Sequence, residues 1–307
     1  MSGHGRLLTA PLLALLFAAA IPSHATEYRL YFLGGQSNMD GYGHVAELPA
    51  AYRATVDGVH IFHGQPVRDG LPADVPGKWA PLQPGHGAGF SSNGAENALS
   101  DRFGPELTFG FRLRAIDPET NVAIIKYAFG GTALDQRVSA YGTWDPDFDG
   151  NNQYDFALAA LRDALSVTDI DGDGEADRLV PAGIIWMQGE ADAFDNPLAA
   201  ADYEANLKRM MDLLRAALRV DDLPVVIGKI TDSGMADDGT VMDFAKVVQA
   251  AQHRFVEQDA CAALVTETET YGYPETDAWH YDSDGFVRMG IAFANAVVAL
   301  EARCNGE

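Results

Sequence analysis

Short apolar runs alternate with segments of helical periodicity along most of this chain, and this alternation constrains the fold most. The apolar runs have the length and composition of buried strands and cover residues 28–33, 122–127, 179–188, 224–230 and 261–266. The helical segments begin near residue 105 and then cover 153–166, 198–218, 243–259 and 284–302. Connections of this length make successive strands parallel and cover both faces of the sheet with helices. We therefore expect an α/β protein, a three-layer α/β/α sandwich with a central, mostly parallel five-stranded sheet.

Nothing in the sequence divides the region after the N-terminal segment into parts. No Ser/Gly-rich or Pro-rich linker interrupts residues 26–307, which we predict to form a single domain. Residues 42–103 are rich in Gly, Pro, His and aromatic residues and show little periodicity. We interpret them as a long loop insertion that forms a substrate-binding rim, because such loops are usually functional or disordered. The spacing of its histidines is not typical of metal ligands and favours solvated or hydrogen-bonded side chains at His44, His60, His63 and His86.

The N-terminus has the features of a secretory signal. Arg6 precedes an apolar run from Leu7 to Ile21, and Ser23-His24-Ala25 follows with small residues at the positions that signal peptidase reads. We predict that residues 1–25 are a signal peptide, cleaved after Ala25, and that the protein is secreted or periplasmic. The run is too short and too rich in alanine to favour a permanent membrane anchor, and a buried N-terminal helix is the alternative.

The charge of the chain limits its partners. A formal net charge of -23 disfavours nucleic acid and anionic membranes, so we expect neither as a partner after signal cleavage. The two cysteines, Cys261 and Cys304, are predicted to form a disulfide if the protein is exported; two unpaired thiols are the alternative.

A serine near the N-terminus and an aspartate–histidine pair near the C-terminus suggest nucleophilic catalysis. Ser37 follows an apolar strand and the pair Gly34-Gly35, a context in which serine is usually only a turn residue. Much later the chain reads Asp277-Ala278-Trp279-His280. An aspartate three residues before a histidine on a tight turn can bind its Nδ1, leaving Nε2 free to accept a proton from a serine. We therefore predict a catalytic triad of Ser37, His280 and Asp277.

Four segments in order carry a family resemblance. They are Gly35-Gln36-Ser37-Asn38-Met39, Phe129-Gly130-Gly131-Thr132, Trp186-Met187-Gln188-Gly189-Glu190-Ala191-Asp192 and Asp277-x-x-His280. Over roughly residues 28 to 300 they resemble the consecutive blocks of the SGNH/GDSL hydrolase superfamily, specifically its sialate O-acetylesterase and acetylxylan esterase-like branch. The resemblance implies an SGNH-hydrolase/flavodoxin-like fold and a serine esterase.

The resemblance also implies roles for residues around the triad. The backbone amides of Ser37 and Gly131 would form the oxyanion hole together with the side chain of Gln188, because the asparagine that many SGNH enzymes carry is missing here. The residues expected to support the substrate site are Gln36, Asn38, Gly130 and Glu190. Glu190 and Asp192 could be mistaken for an acid/base pair, but we expect them to orient loops beside the site.

Two acidic loops match the pattern D-x-D-x-D-G, in which alternating carboxylates converge on one cation. The loop at 169–180 offers Asp169, Asp171, Asp173 and Asp177, and the loop at 145–156 offers Asp145, Asp147 and Asp149 more weakly. Neither is an EF-hand, since Phe156 and Val180 occupy the twelfth position. We expect a structural calcium ion or, alternatively, solvated turns; the chemistry itself needs no cofactor.

These expectations combine into one hypothesis with three rivals. The chain would be a secreted serine esterase that removes O-acetyl groups from a carbohydrate, either sialic acid or an acetylated xylan-type polysaccharide, through an acyl-enzyme. A lipase or thioesterase of the same superfamily is the nearest alternative. A non-catalytic, calcium-dependent carbohydrate-binding protein and a metal-dependent hydrolase are the others.

Overall fold

The computed structural model describes residues 25–304 and contains one large sheet with helices around it. The sheet strands are β1 (Glu27–Gly35), β2 (Val59–His63), β3 (Trp79–Pro81), β4 (Asn121–Ala128), β5 (Arg178–Met187), β6 (Val225–Gly228) and β7 (Ala262–Val265). The helices are α1 (Ser37–Asp40), α2 (Pro105–Ile116), α3 (Gln153–Leu165), α4 (Glu190–Ala193), α5 (Pro197–Leu218), α6 (Ala245–Gln258) and α7 (Ser283–Cys304). The predicted signal peptide falls almost wholly on residues 1–24, which lie outside the described residues.

The sheet confirms the predicted architecture but has more strands than expected. Its order is β7-β6-β5-β1-β4-β2-β3, and every neighbouring pair is parallel except β2 with β3. The five predicted strands are β1, β4, β5, β6 and β7, which are contiguous in the sheet. The predicted count of five is therefore wrong by two strands, both of which extend the sheet beyond β4.

Both additional strands come from residues 42–103, the predicted loop insertion. β2 is only five residues long and places histidines at two of its positions, and β3 has three residues, so neither stands out as an apolar run. Two short antiparallel ribbons, Gly43–His44 with Arg102–Phe103 and Ser91–Ser92 with Asn97–Ala98, organise part of the remainder. The interpretation of residues 42–103 as one long loop is thus wrong where these strands and ribbons form, and the substrate-binding rim stays a prediction.

Two of the histidines in this segment also differ from expectation. His63 and His86 are fully buried and their ring nitrogens have no hydrogen-bond partner among the described residues. Both rings stack on Phe90. Burial lowers the pKa of His86 to about 3 and holds the pKa of His63 well below its usual value, so both rings are neutral and act as aromatic packing groups.

The helices cover both faces, as parallel crossovers require. The connections from β4 to β5 through α3, from β5 to β6 through α5 and from β6 to β7 through α6 all run in the same direction along the sheet, so right-handed crossovers place these three helices on one face. α2 leads from β3 into β4 and contacts Tyr31 of β1 through Phe109. α7 packs against α2. Among the described helices, α7 alone is long and apolar enough to cross a membrane, and 61% of its apolar window is buried inside the protein.

The strand β1 lies at the centre of the sheet and is held on both sides. It pairs along its length with β4 on one side and β5 on the other, and its residues from Leu30 to Gly35 are buried. The edge-to-face contact between Tyr31 and Phe109 ties the strand to α2. A disulfide joins Cys261, just before β7, to Cys304 at the end of α7, which is the predicted pairing. It lies at the amino edge of the sheet, where the strands begin.

Candidate active site

All four segments singled out in the sequence meet at the carboxyl edge of the sheet. Ser37 follows β1, Gly130 and Gly131 follow β4, and Gln188 follows β5. Asp277 and His280 lie in the loop between β7 and α7. In open parallel sheets this edge is where ligands bind, because the turns after the strands converge there.

The turn after β1 holds Ser37 in a defined position. The amide of Gln36 donates to the carbonyl of Met187 at 2.9 Å, which anchors the turn to β5. Gly35 has φ +144, and a Cβ there would lie 2.0 Å from the Met187 carbonyl oxygen, so only glycine allows this approach. Ser37 is the first residue of α1 and is 6% exposed, so its hydroxyl lies at the base of the site instead of on the open surface.

Asp277 and His280 form the predicted pair. His280 Nδ1 lies 2.7 Å from Asp277 Oδ2, and Asp277 Oδ1 accepts the backbone amides of Trp279 and His280. The aspartate thus fixes both the turn and the imidazole, leaving Nε2 as the free ring nitrogen. No hydrogen bond joins His280 to Ser37 in the described part of the chain; such bonds are often long before substrate binds and tighten in the reacting complex.

The electrostatics of the pair suit a proton acceptor. Burial lowers the pKa of His280, and this outweighs the opposing effect of Asp277; Arg102 adds to the lowering. Burial acts to raise the pKa of Asp277, but the hydrogen bonds from His280 and from the amides of the turn lower it below its usual value. At neutral pH the histidine is therefore neutral and the aspartate charged, which are the states that general-base catalysis needs.

A tyrosine that the sequence did not single out completes the surroundings of His280. The ring of Tyr42 stacks on the imidazole with centroids 3.7 Å apart and an angle of 2° between the planes. Arg102 donates to the Tyr42 carbonyl at 2.9 Å and its guanidinium lies over the Tyr42 ring. Only the position of Tyr42, five residues after Ser37, could have suggested a role, because the stacking partner lies more than 200 residues away in the chain.

Asn38 links three of the four segments. Its Nδ2 donates to Glu190 Oε1 at 2.7 Å and to the backbone carbonyl of Trp279 at 3.1 Å. Its Oδ1 accepts the amide of Tyr281. Glu190 is buried, which raises the pKa of its carboxyl, and it has no contact with His280 among the hydrogen bonds described. Asn38 and Glu190 therefore connect the serine turn to the histidine loop.

The glycine pair after β4 borders the nucleophile. A Cβ on Gly130 would lie 3.5 Å from Ser37 Cβ and 3.5 Å from the Tyr42 hydroxyl, so the absence of a side chain keeps the space beside Ser37 open. Gly131 has φ +75. The backbone amides of Ser37 and Gly131 donate to no acceptor within the described residues. Free amides beside a nucleophile are the groups that can stabilise an oxyanion.

Gln188 does not fit the role inferred from the resemblance. It is fully buried, and its amide nitrogen donates to Asp192 Oδ2 at 2.6 Å and to the Thr132 carbonyl at 3.1 Å. Both of its amide hydrogens are therefore used within the protein, so the prediction that this side chain donates to the oxyanion is wrong for this geometry. Gln188 instead joins the turn after β5 to the turn after β4.

Gln36 and Asp192 hold the same two turns from either side. Gln36 Oε1 accepts the amides of Gly189 and Ala191 at 3.3 Å. Asp192 accepts the amides of Leu134 and Asp135 in addition to the side chain of Gln188. Burial raises the pKa of Asp192 to about 7. The expectation that Asp192 orients loops, and is no part of an acid/base pair, agrees with these contacts.

The two acidic loops differ from one another. In the first, Asp147 receives both Arg209 guanidinium nitrogens, at 2.7 and 2.8 Å, and Asp145 accepts Gln136. The prediction of a cation site at Asp145, Asp147 and Asp149 is wrong, because Asp147 is already paired with Arg209 and these three carboxylates do not form a convergent group among the described residues.

In the second loop, Asp169, Asp171 and Asp177 offer carboxylate oxygens that all lie within 4.8 Å of one another. Asp173 stands outside this group and accepts the amide of Glu175. Calcium binding there stays a prediction, now with three ligand residues.

Comparison with known proteins agrees with the fold and the site. Residues 27–299 match the family model described as "Carbohydrate esterase, sialic acid-specific acetylesterase". No curated protein matches the chain. A crystal structure of an Arabidopsis thaliana protein is similar with a TM-score of 0.62 and 18% identity, covering 90% of this chain and 99% of that one.

Two further solved structures share the fold at similarly low identity. A carbohydrate acetylesterase from Xanthomonas citri has a TM-score of 0.59 and 19% identity, over 91% of this chain and 57% of that one. The protein NanS has a TM-score of 0.55 and 16% identity, over 91% and 98% of the two chains. At these identities the likeness concerns the fold alone.

A mostly parallel sheet that brings these four segments together at its carboxyl edge agrees with a carbohydrate esterase, which is the class that the family model gives. The chain belongs to the family of sialic acid-specific acetylesterases among the carbohydrate esterases, since the family model spans nearly all of the described residues. The resemblance noted in the sequence is thereby confirmed. The chain is an enzyme that removes O-acetyl groups from carbohydrates.

Proposed function

We propose that this chain is a secreted or periplasmic serine esterase that deacetylates sialic acid or an acetylated xylan-type polysaccharide through a triad of Ser37, His280 and Asp277. The observation that carries the proposal is the Asp277–His280 pair, held at 2.7 Å on a turn that Asn38 ties directly to the Ser37 turn. A binding protein would not need a neutral, aspartate-oriented imidazole beside a serine at the base of the site.

The reaction follows from the positions of these groups. Ser37 Oγ attacks the acetyl carbonyl carbon while its proton passes to His280 Nε2, and Asp277 holds the imidazolium. The tetrahedral oxyanion receives the free amides of Ser37 and Gly131, each such donor contributing on the order of a hundredfold in rate. The bond to the sugar oxygen breaks as His280 returns the proton to that oxygen, which leaves an acetyl-serine. Water, deprotonated by His280, then releases acetate and restores Ser37.

The structural features around this centre have supporting roles in the proposal. Gln36, Asn38, Gln188, Glu190 and Asp192 hold the turns together, and Gly130 keeps the space beside the nucleophile open. No cofactor takes part in the chemistry, and the cluster of Asp169, Asp171 and Asp177 holds a structural calcium ion away from the triad. The signal peptide at residues 1–25 directs the enzyme out of the cytoplasm, where its partner is the acetylated carbohydrate.

The test is a substrate screen that measures acetate or acid release from p-nitrophenyl acetate, p-nitrophenyl octanoate, acetylated xylan and O-acetylated sialic acid. We expect turnover of acetyl esters and at least one acetylated carbohydrate, with octanoyl esters disfavoured because extra methylenes must find space, each shifting specificity by roughly ten- to two-hundredfold. Comparable rates on acetyl and octanoyl esters would move the assignment to a lipase or thioesterase. Loss of turnover on adding chelator, with the fold intact, would indicate a metal-dependent hydrolase.

A further inference from the structure

A cavity of about 430 Å³ opens directly beside the proposed nucleophile. Gly130 lines it, and a Cβ on the same glycine would lie 3.5 Å from Ser37 Cβ, so the cavity and the nucleophile are separated by this one glycine. Its volume lies within the roughly 300 to 1,000 Å³ that small-molecule sites span. A sugar ring attached to the acetyl group therefore has room to occupy it.

Three of the nine residues that line this cavity are aromatic. Phe129, Tyr141 and Phe148 line it, and Tyr141 is 70% exposed although its ring packs against Gly131. An exposed aromatic side chain held against backbone beside the oxyanion amides offers an apolar face to a ligand. Such walls suit the C–H face of a pyranose.

Arg68 is the cationic residue that lines the cavity, and it differs from the arginines of a neighbouring cavity in having no carboxylate partner within the described part of the chain. Its side chain is exposed and has no hydrogen bond or ion pair among residues 25–304. By contrast, the arginines that line the nearby surface cavity of about 370 Å³, Arg137 and Arg209, are both paired with aspartates. A guanidinium left free in a chain with a net charge of -23 is available to an anion from solution.

The acidic neighbour of Arg68 does not neutralise it. Asp69 also lines the cavity, but its Oδ1 accepts Gln153 Nε2 at 2.6 Å and its Oδ2 accepts the amide of Thr143 at 2.8 Å. Both oxygens are therefore engaged in the wall. Ser139 and Tyr141 add hydroxyl groups to the wall, but the charged donors that the cavity presents to a ligand are the five N–H groups of Arg68, whose planar fork matches a carboxylate.

We propose that Arg68 is the specificity-determining residue of a sugar subsite and binds the carboxylate of an acidic O-acetylated sugar whose ring lies in this cavity with its acetyl ester at Ser37. This rests on the proposed esterase function and narrows its substrate from acetylated carbohydrates in general to acidic ones. The acidic surface of the protein repels an anionic substrate at long range, so the attraction has to be supplied locally and is sensitive to salt.

The experiment compares two substrates that differ only in charge, O-acetyl-N-acetylneuraminic acid and its C1 carboxamide, by steady-state release of acetate. In the wild type we expect a KM roughly tenfold lower for the carboxylate, since hydrogen bonds to charged groups are the strong ones. In Arg68→Gln the KM for the carboxylate should rise to that for the carboxamide, so that the preference disappears. The ratio of the two kcat values should stay unchanged. Arg68→Lys should restore part of it, because lysine keeps the charge but not the fork.

Arg219→Gln is the matched control. Arg219 follows the last residue of α5 at the amino edge of the sheet, and its side chain is exposed and likewise without a partner among the described residues. It should leave the preference for the carboxylate intact.

The outcomes separate the subsite from the esterase function. Equal KM values for the two substrates in the wild type, or a preference that survives Arg68→Gln, would overturn the subsite while acetate release from both sugars upholds the esterase. Release of acetate from neither sugar by an enzyme that hydrolyses p-nitrophenyl acetate would overturn the subsite and uphold the esterase, and release from none of the acetyl esters would overturn both. Loss of the preference in Arg219→Gln would show that overall charge, and no particular residue, selects the substrate.

Discussion

Ser37 is the residue on which the proposed chemistry depends. Ser37→Ala removes the attacking oxygen but leaves the turn intact, because no side-chain hydrogen bond of Ser37 is needed to hold it. We expect the esterase rate to fall by on the order of 10³ or more, since the members of a triad act as a unit. The measurement is initial acetate release, with the melting temperature as the control for folding. A variant that keeps a tenth of the wild-type rate would exclude Ser37 from the mechanism.

Asn38 should affect both the position of His280 relative to Ser37 and the stability of the protein. Asn38→Ala removes its bonds to Glu190 and to the Trp279 carbonyl, so the histidine loop loses its tie to the serine turn. We expect kcat to fall by roughly a hundredfold from misplacement of the imidazole, and the free energy of unfolding by about 1–3 kcal/mol because Glu190 loses its donor. Kinetics and denaturant unfolding check both effects.

A second asparagine provides the comparison for this variant. Asn295 is exposed on α7 and accepts one bond from Arg112. Asn295→Ala should change kcat and the free energy of unfolding little. If the two alanine variants behave alike, Asn38 has no special connection to the site.

The pH dependence of the reaction follows from the pKa of His280. The imidazole must be neutral to accept a proton, and its pKa in the folded protein is lowered from the usual 6.5. Activity should therefore persist as pH falls through 6.5 and be lost only at lower pH, when His280 takes up a proton. The profile of kcat/KM against pH measures this midpoint. An acid limb centred above 6.5 would contradict the predicted environment of His280.

Replacing Asp277 should shift the acid limb of the profile of kcat/KM against pH to still lower pH. Asp277 raises the pKa of His280 against the larger effect of burial. In Asp277→Asn the acid limb should accordingly lie lower than in the wild type, and the rate should fall by roughly 10⁴ because the imidazole loses the partner that fixes its tautomer. A limb that moves upward would mean that another base controls the profile.

The sequence predicted individual site residues unequally. The Asp277–His280 pair was readable because a three-residue spacing on a turn fixes the geometry locally. The position of Gln188 beside the site was also readable, but the direction of its side chain was not, since that depends on Asp192 and on the carbonyl of Thr132. Tyr42 gave no signal because stacking on His280 is a contact across most of the chain.

Among the elements, the acidic loop before β5 carries the most specific expectation. Asp169, Asp171 and Asp177 hold their carboxylates close together; burial raises the pKa of Asp177, and the neighbouring carboxylates add to the rise. A calcium ion would relieve this repulsion and stabilise the folded state by mass action, by about 2.7 kcal/mol at a concentration one hundred times the Kd. We expect calcium to raise the melting temperature without changing the rate while the protein stays folded.

Two variants of this loop distinguish a cation site from general charge reduction. Asp171→Asn removes a carboxylate of the cluster and should abolish the calcium-dependent rise in melting temperature. Asp173→Asn removes the same charge outside the cluster and should preserve it. If calorimetry shows no heat of binding and millimolar calcium does not change the melting temperature, the prediction of a calcium site is wrong and the loop is a solvated turn.

The segment from 42 to 103 shows where sequence periodicity stops being informative. β2 and β3 are short, and β2 is a strand because it pairs with β4, which lies about 60 residues further along the chain. A five-residue run with histidines at two positions has no periodic signal of its own. The five core strands, by contrast, could be identified because they are apolar runs, and four of them, β4, β5, β6 and β7, lie between helices.

At the scale of the whole molecule, the disulfide links the last strand to the last helix. Cys261 and Cys304 are separated by 43 residues, and closing a loop of that length in the unfolded chain stabilises the protein by about 4 kcal/mol in the chain-entropy model. The double variant Cys261→Ser/Cys304→Ser should unfold at correspondingly lower denaturant concentration. Because the bridge lies at the amino edge, kcat should not change below the transition. An unchanged denaturant midpoint in the double variant would show that the disulfide does not stabilise the folded protein.

The central place of β1 has a consequence for how the enzyme is made. β1 is the first strand of the chain, yet its two neighbours, β4 and β5, are complete only at residues 128 and 187. During synthesis the nascent segment therefore waits without a pairing partner, and such non-local pairing makes folding slow. If the chain is exported, as we propose, this delay helps to keep it unfolded while it crosses the membrane. Ser37 meets His280 only after nearly all of the chain has been synthesised.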